Sequence, residues 1–371
     1  VNHTYSHDMW VIPVSCDGRS WAGSGEDAVR WEPRVVVQPR PPGAVPVVNV
    51  GHPLVDEYLS FMRARARPNT LLAAAFDLKV FFSAVQKAPA RVASADVLAF
   101  IRAQRGGGAK VVSIDGSHGL SSRTIRRRLS SVAGFYSYLL ARGGTPVSRN
   151  PVPRGLTTRR ERERPHQGVP LVRAVKTLPR VLAPTEVGAL LAALRTDRDR
   201  AMVEAMVLGG LRRCEVLGLE LADVRVGERR VFIADGKGGR QRLIPVSARF
   251  FGTLGRYLGE ERPKVASTSR VFVVLKGPRR GQQLSAYGLD EVISSARRRA
   301  GLRHATCHEL RHTCLTRLRE AGMSLEALQA QAGHASVETT RVYLHLANDW
   351  LAAEYRKAAA AIDAQAIEAQ A

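Results

Sequence analysis

Residues 209–217 read Gly209-Gly210-Leu211-Arg212-Arg213-Cys214-Glu215-Val216-Leu217, and residues 308–312 read His308-Glu309-Leu310-Arg311-His312. Both stretches have the apolar spacing of a helix, yet both also carry charged groups that a packed core would not choose. Arg212 and Glu215 lie three residues apart, so a helix would bring them to one face, where the carboxylate can orient the guanidinium. Together the two stretches predict a polar site built on a helical framework.

Two further segments of the same region carry isolated polar groups. Lys237 lies within Asp235-Gly236-Lys237-Gly238-Gly239, which predicts the tip of a β-hairpin. Glycines on both sides would let that tip approach another backbone closely. Gly333-His334 precedes Tyr343 by nine residues. Taken singly, these are a solvated lysine, a turn histidine and a helix tyrosine, and only their combination predicts a functional site.

The region around these segments predicts one domain over residues 181–347. Its pattern is mainly helical, with one small antiparallel sheet, so the predicted class is α+β. Helices are predicted over 184–194, 198–217, 285–300, 308–321, 324–332 and 336–346, and strands over 224–226, 231–234 and 242–246.

A separate helical domain is predicted over residues 49–144. Its helices begin near residue 53 and then cover 69–86, 94–105 and 121–142, where Ser121 can cap the last one. That helix starts with four arginines, which oppose the helix dipole. Either phosphates bind there or the face is simply solvated. The four candidate DNA-binding residues are Arg123, Arg126, Arg127 and Arg128.

Three connecting and terminal segments complete the predicted organisation. Residues 1–48 are rich in proline without a sustained period and predict a tail or a small add-on, although Trp10, Trp21 and Trp31 indicate that part of it docks. Residues 145–180 predict a basic linker, and residues 348–371 predict an Ala-rich helical tail that docks on another subunit.

The charge balance narrows the class of partner. The chain has 56 Lys and Arg against 33 Asp and Glu among 371 residues, a formal charge of +23. Such a surplus indicates nucleic acid or an anionic membrane, unless it only reflects arginine-rich codon usage. No apolar run approaches a membrane span and the first ten residues lack a signal-peptide layout, so we expect a cytoplasmic protein without a membrane partner. Four scattered cysteines predict neither a disulfide framework nor a metal site.

The segments quoted above, in this order and spacing, resemble the tyrosine recombinase (phage integrase) family. The likeness covers about residues 181–346, and the helical unit before it resembles that family's SAM-like core-binding domain. Ala332 stands where a leucine is usual, and Arg213 follows the first arginine. The resemblance implies a site-specific recombinase, or integrase, that needs no metal, no ATP and no other cofactor.

The resemblance also implies a role for each catalytic residue. Tyr343 is expected to be the nucleophile that forms a 3′-phosphotyrosyl bond, with Arg212 and Arg311 binding the phosphate. Lys237 is expected to protonate the leaving 5′ oxygen. His308 is expected to manage the proton of the nucleophile or to steady the phosphate.

Three further residues complete the implied site. His334 is expected to contact the phosphate. Glu215 is expected to support Arg212, and His312 is either a supporting residue of the site or a structural histidine beside His308. The expected partners are double-stranded recombination sites bound by four protomers, with a four-way junction as intermediate and an accessory DNA-bending protein. The long basic linker and the tail favour an integrase of a mobile element.

A different enzyme class is suggested by the same histidines. His308-Glu309-Leu310-Arg311-His312 also fits HExxH, the signature of zinc metalloproteases. Against it, Arg311 would place a permanent cation beside the zinc, and Leu315 and Leu318 occupy the positions of the glycine and third histidine of metzincins. Two nearer alternatives are a type IB topoisomerase, which uses comparable chemistry, and a DNA-binding module without activity. The latter is disfavoured because no position of the catalytic set is missing.

Overall fold

A computed structural model gives the architecture of two compact units, which meet in sequence between Val175 and Lys176. It describes residues 31–38, 45–106, 119–153, 171–173, 179–234, 236, 241–334 and 340. None of the helices in these ranges is both long and apolar enough to cross a membrane.

In its described residues, the first unit has four α-helices around an aromatic core. They are α1 (Pro53–Arg65), α2 (Pro68–Val85), α3 (Ser94–Arg105) and α4 (Ser122–Arg142), as the sequence predicts. The Ser121 hydroxyl caps α4 by accepting from the Thr124 amide at 3.2 Å. Phe82 and Phe135 pack edge to face with ring centroids 5.9 Å apart, which joins α2 to α4.

A short strand pair precedes the helices and belongs to the same core. β1 (Val36–Gln38) and β2 (Val47–Asn49) are antiparallel, and Val48 is buried. The Trp31 indole donates to the Val50 carbonyl at 3.3 Å and packs against Phe82. The predicted boundary at residue 48 therefore falls within β2. Trp10 and Trp21 lie outside the described residues.

The second unit combines seven described helices with a three-stranded sheet. The helices are α5 (Pro184–Ala192), α6 (Asp197–Gly209), α7 (Arg213–Gly218), α8 (Ala248–Arg256), α9 (Ala286–Arg299), α10 (Cys307–Glu320) and α11 (Leu325–Ala332). The strands β3 (Val224–Arg225), β4 (Arg230–Ile233) and β5 (Arg242–Pro245) form an antiparallel sheet in that order, with Val231 opposite Ile244. This confirms the predicted α+β class, and α8 was not predicted.

The single helix predicted over 198–217 is wrong. Gly210 adopts a left-handed conformation (φ 70°), which ends α6, and the chain starts again as α7 at Arg213. The apolar period continues on both sides of this break and therefore conceals it. The predicted helix over 336–346 and the tail from 348 fall outside the described residues, apart from the single residue 340.

The ends of three elements converge where the site lies. Gln331 near the end of α11 donates to the Gly209 carbonyl at 2.9 Å and to the Pro245 carbonyl at 3.1 Å. These bonds fix the end of α11 against the end of α6 and against β5. Because Gln331 is buried, losing either acceptor would leave a polar group unsatisfied.

The left-handed conformation of Gly210 predicts that replacing glycine by alanine has opposite effects on stability at this position and within a regular helix. Gly210→Ala should lower the free energy of unfolding by about 1–2 kcal/mol, the cost of a left-handed residue with a Cβ. Gly188→Ala, in the exposed middle of α5 with nothing within 4 Å of the added Cβ, should raise it by about 0.5–1 kcal/mol. Urea unfolding of both variants measures this, and equal effects would contradict it.

Candidate active site

The carboxylate of Glu215 lies at the centre of the site and its side chain is fully buried. Glu215 is in the first turn of α7, where it accepts from the Arg212 amide at 2.9 Å and from Arg212 Nη1 at 2.7 Å. Arg212 Nη2 lies 3.4 Å from the Gly333 carbonyl. Arg212 is therefore fixed at both ends of its guanidinium, and it remains partly exposed to solvent.

Arg311 projects from α10 into the same site and is buried. Its Nη1 donates to the Gly210 carbonyl, and its Nη2 donates to the Ala332 carbonyl at 2.6 Å. Both acceptors lie at the C-terminal ends of helices, where the helix dipole favours a cation. Arg311 Nη1 is also 4.0 Å from Glu215 Oε2. The two predicted arginines thus share one carboxylate.

His334 contacts Arg311 directly. Its Nε2 lies 3.3 Å from Arg311 Nη2, and its Nδ1 lies 3.0 Å from the Thr340 hydroxyl. Since a guanidinium only donates, Nε2 accepts, and the ring proton is assigned to Nδ1. Burial, together with the charges of Arg311 and Arg212, lowers the pKa of His334 to about 4. His334 is therefore neutral at pH 7 in the free protein.

A third arginine, Arg242 on β5, completes the cluster and was not predicted. It donates to both oxygens of Glu215, from Nη1 at 3.0 Å and from Nη2 at 2.8 Å. The sequence pattern could have indicated that Arg242 faces the interior. Strand alternation puts residue 242 on the same face as Ile244, which is buried. An arginine on the buried face of a strand needs a carboxylate partner, which the strand pattern does not identify.

The charges of the cluster leave it electropositive. Burial raises the pKa of Glu215, but hydrogen bonds and charge from Arg242, with those of Arg212, outweigh burial and lower it to about 2. The carboxylate is therefore ionised at pH 7. One negative charge among three guanidiniums leaves a surplus of about two, which suits an anionic ligand.

His308 and His312 lie side by side on α10. Their Nε2 atoms are 2.8 Å apart, so one ring donates to the other. Burial, followed by the charges of His308 and Arg311, lowers the pKa of His312 to about 4. Within the described ranges, no group of three or more His, Cys, Asp or Glu side chains is arranged to hold a metal ion. The zinc protease reading is thus left without a third ligand in this part of the chain.

Comparison of the sequence with known proteins identifies the family to which the chain belongs. Residues 180–349 match the phage integrase family, and residues 55–143 match its N-terminal SAM-like domain. Tyrosine recombinase XerD of Lacticaseibacillus casei is 32% identical over 63% of this chain and 76% of its own length. XerD of Neisseria meningitidis serogroup A is 36% identical over 47% of this chain and 62% of its own length. The chain belongs to the phage integrase family.

Solved structures of other recombinases share the fold of this integrase-family chain. The XerH site-specific recombinase bound to palindromic difH substrate aligns with a TM-score of 0.58 at 20% identity, covering 80% of this chain and 82% of XerH. The Tn1549 transposon integrase with transposon right end DNA gives 0.58 at 17%, covering 82% and 99%. The predicted pairing of a SAM-like helical domain with a recombinase catalytic fold is confirmed, and with it the enzyme class of site-specific DNA cleavage and rejoining.

Two members of the predicted catalytic set of this integrase-family chain, Lys237 and Tyr343, lie outside the described residues. The structure brings Arg212 and Arg311 together at Glu215, and His334 contacts Arg311. His308 and His312 share α10 with Arg311. The positions of Lys237 and Tyr343 relative to this cluster stay predictions.

The four arginines of α4, in the SAM-like unit, divide into two pairs. Arg123 and Arg126 are exposed. Arg127 Nη1 lies 2.5 Å from Asp77 Oδ2, and Arg128 Nε lies 3.9 Å from Asp77 Oδ1. Asp77, a buried carboxylate on α2 that was not predicted, thus offsets part of the dipole cost that these arginines impose.

The low pKa of Glu215 predicts a pH-dependent effect of Glu215→Gln. A fall from 4.5 to about 2 corresponds to about 3 kcal/mol of stability, present above pH 4.5 and lost as pH falls toward 2. The variant should therefore be less stable than the native chain by about 3 kcal/mol at pH 7, and the difference should shrink at pH 3. Urea unfolding at both pH values measures it, and a pH-independent difference would refute this account.

Proposed function

We propose that this protein is a site-specific DNA recombinase that cleaves and rejoins strands through a 3′-phosphotyrosyl intermediate. One observation supports this most. Arg212 and Arg311, about 100 positions apart in sequence, share a single buried carboxylate with positive charge in excess, and His334 contacts Arg311. That arrangement fits a phosphodiester, because the arginines can neutralise the negative charge on its two non-bridging oxygens.

The reaction needs a nucleophile and a proton donor. The phenolate of Tyr343 attacks phosphorus, a bond forms between phosphorus and the tyrosine oxygen, and the bond from phosphorus to the 5′ oxygen breaks. The leaving 5′ oxygen takes a proton from Lys237 and departs as a hydroxyl. Rejoining reverses these steps with a new strand. The bond energy is kept in the phosphotyrosine, so neither ATP nor a metal is required.

The arginines supply the electrostatic part of catalysis. Ionising a tyrosine of pKa ~10 at pH 7 costs ~4 kcal/mol. Hydrogen bonds from charged groups contribute ~1.5–3 kcal/mol each, so Arg212 and Arg311 together can offset this cost. His334, neutral in the free protein, would gain a proton more readily beside a phosphate. His308 would hold the proton of Tyr343 or steady the phosphate, with His312 as its hydrogen-bond partner.

We further propose that the enzyme serves a mobile element in the bacterial cytoplasm. The two family matches leave residues 1–54, 144–179 and 350–371 uncovered, and the second of these stretches holds nearly all of the predicted basic linker. Such additions fit an integrase with its own recognition sites. Four protomers would act on two duplex sites, with the C-terminal tail joining neighbours and an accessory protein bending the DNA.

The proposed nucleophile predicts a covalent adduct. The native chain, mixed with sheared genomic DNA of its source organism and then denatured with detergent, should retain covalently bound fragments. Tyr343→Phe should retain none, because phenylalanine has no oxygen to attack phosphorus. Tyr287→Phe, at an exposed tyrosine of α9, is the matched control and should behave like the native chain.

Four outcomes of this capture are informative. Fragments that map to the ends of an integrated element would support the mobile-element role, and joined products between two captured sites would separate a recombinase from a relaxing topoisomerase. An adduct that persists in Tyr343→Phe would mean that another residue is the nucleophile. Absence of any adduct despite tight DNA binding would refute the proposed reaction.

The proposed DNA-binding face of α4 predicts a steep salt dependence. The logarithm of affinity should fall linearly with the logarithm of salt between about 50 and 200 mM. Arg123→Ala and Arg126→Ala should each lower the slope by about 1, as expected for one lost phosphate contact. Arg34→Ala, an exposed arginine beside Glu32, should leave the slope unchanged. Equal slopes for all variants would exclude these two arginines from the interface.

A further inference from the structure

We propose that Arg242 is a positioning residue for strand cleavage, because it holds Glu215 in the orientation that aims Arg212 at the phosphate. This inference rests on the proposed function of the cluster. Arg242 is not itself proposed to bind the phosphate. It acts through the carboxylate that it shares with Arg212.

The geometry of Arg242 fixes Glu215 more firmly than Arg212 could alone. Nη1 and Nη2 of Arg242 donate to different oxygens of the carboxylate, at 3.0 and 2.8 Å. Such a bidentate pair defines the plane of the carboxylate and not only its distance. Arg212 Nη1 then binds Oε1 at 2.7 Å, so the direction of Arg212 follows from that plane.

Arg242 also supports the segment that carries His334. Its Nε lies 3.3 Å from the Gln331 carbonyl. Gly333 is left-handed (φ 59°), and a Cβ there would come within 2.9 Å of Arg242 Nη1. The turn before His334 therefore rests directly on the guanidinium. Gly333 in turn offers its carbonyl to Arg212 Nη2. Arg242 therefore lies against the turn that holds this end of the Arg212 guanidinium.

The contacts of Arg242 argue against a direct phosphate contact. One edge of the guanidinium is occupied by the two oxygens of Glu215, and Nε is bound to Gln331. Its side chain is 11% exposed. Chelating a phosphate would require Arg242 to leave Glu215, which would leave a buried carboxylate without its bidentate partner.

The test compares single-turnover cleavage by variants of the full chain. The substrate is the duplex that the native chain captures, synthesised with a nick a few nucleotides 3′ of the scissile phosphate so that cleavage cannot reverse. Arg242→Ala should slow covalent attachment by about 100-fold, the scale of an ångström's misplacement. Arg242→Lys keeps the charge but loses the bidentate geometry, and it should slow attachment by at least about tenfold.

A matched control separates positioning from general damage to the fold. Arg249 pairs with the fully buried Glu204 at 2.9 Å, so Arg249→Ala also deprives a buried carboxylate of its arginine, but on α6 rather than in the cluster. Rates are compared per folded, DNA-bound molecule, with melting temperature and DNA affinity measured for each variant. The Arg249 variant should then cleave at nearly the native rate. Arg242→Lys keeps the comparison usable if Arg242→Ala does not fold.

A double-mutant cycle tests whether Arg242 acts through Glu215. If it does, Arg242→Ala combined with Glu215→Gln should be no slower than the slower single variant. Multiplied effects would overturn the inference, and so would an Arg242→Lys rate equal to that of Arg249→Ala. In both cases the native chain still cleaves, so the proposed function stands. A native chain that forms no adduct would instead overturn the proposed function and this inference with it.

Discussion

The site depends on one buried carboxylate shared by three guanidiniums. Glu215 alone would be costly to bury ionised, and Arg311, which is equally buried, would be costly without a counter-charge. Their charges offset one another at 4.0 Å, and Arg212 and Arg242 supply the hydrogen bonds to the carboxylate. Because the cations outnumber the anion, the cluster is stable as a protein structure yet electrostatically incomplete. A bound phosphate would complete it, which is the property a phosphoryl-transfer site requires.

Backbone carbonyls, as well as side chains, hold the arginines of this cluster in place. Arg311 binds carbonyls at the ends of α6 and α11, and both helices end in a left-handed glycine, Gly210 with φ 70° and Gly333 with φ 59°. Helix ends carry unpaired carbonyls and partial negative charge, so they stabilise a cation without a second carboxylate. A second carboxylate would remove about half of the surplus positive charge of the site. Helix termini therefore allow the arginine to be held tightly while the surplus of positive charge is kept.

Features that depend on residues close together in the sequence could be predicted, whereas contacts between residues far apart in the sequence could not. Helical spacing identified α1 to α4 and most of the second unit, since amphipathic periods are local. The break at Gly210 was missed because the apolar pattern continues across it. Arg242 and Asp77 were missed because their partners, Glu215 and the arginines of α4, lie 27 and about 50 positions away. Local patterns cannot identify which carboxylate an arginine will meet. The roles of Lys237 and Tyr343 come from family resemblance rather than from local pattern.

The arginines of this chain thus fall into two physical kinds, and salt affects them differently. Arg123 and Arg126 are exposed, so in the proposed DNA interface their attraction to phosphates would be screened within about 10 Å at 0.1 M salt. Arg311 and Arg242 are largely enclosed by the protein and pair with a fully buried carboxylate, so screening of these pairs by salt is weak. Under the proposed function, raising the salt concentration should therefore weaken the capture of DNA before it disturbs the geometry of the cluster. Substitutions at the two kinds of arginine should then act separately, on affinity in the first case and on cleavage in the second.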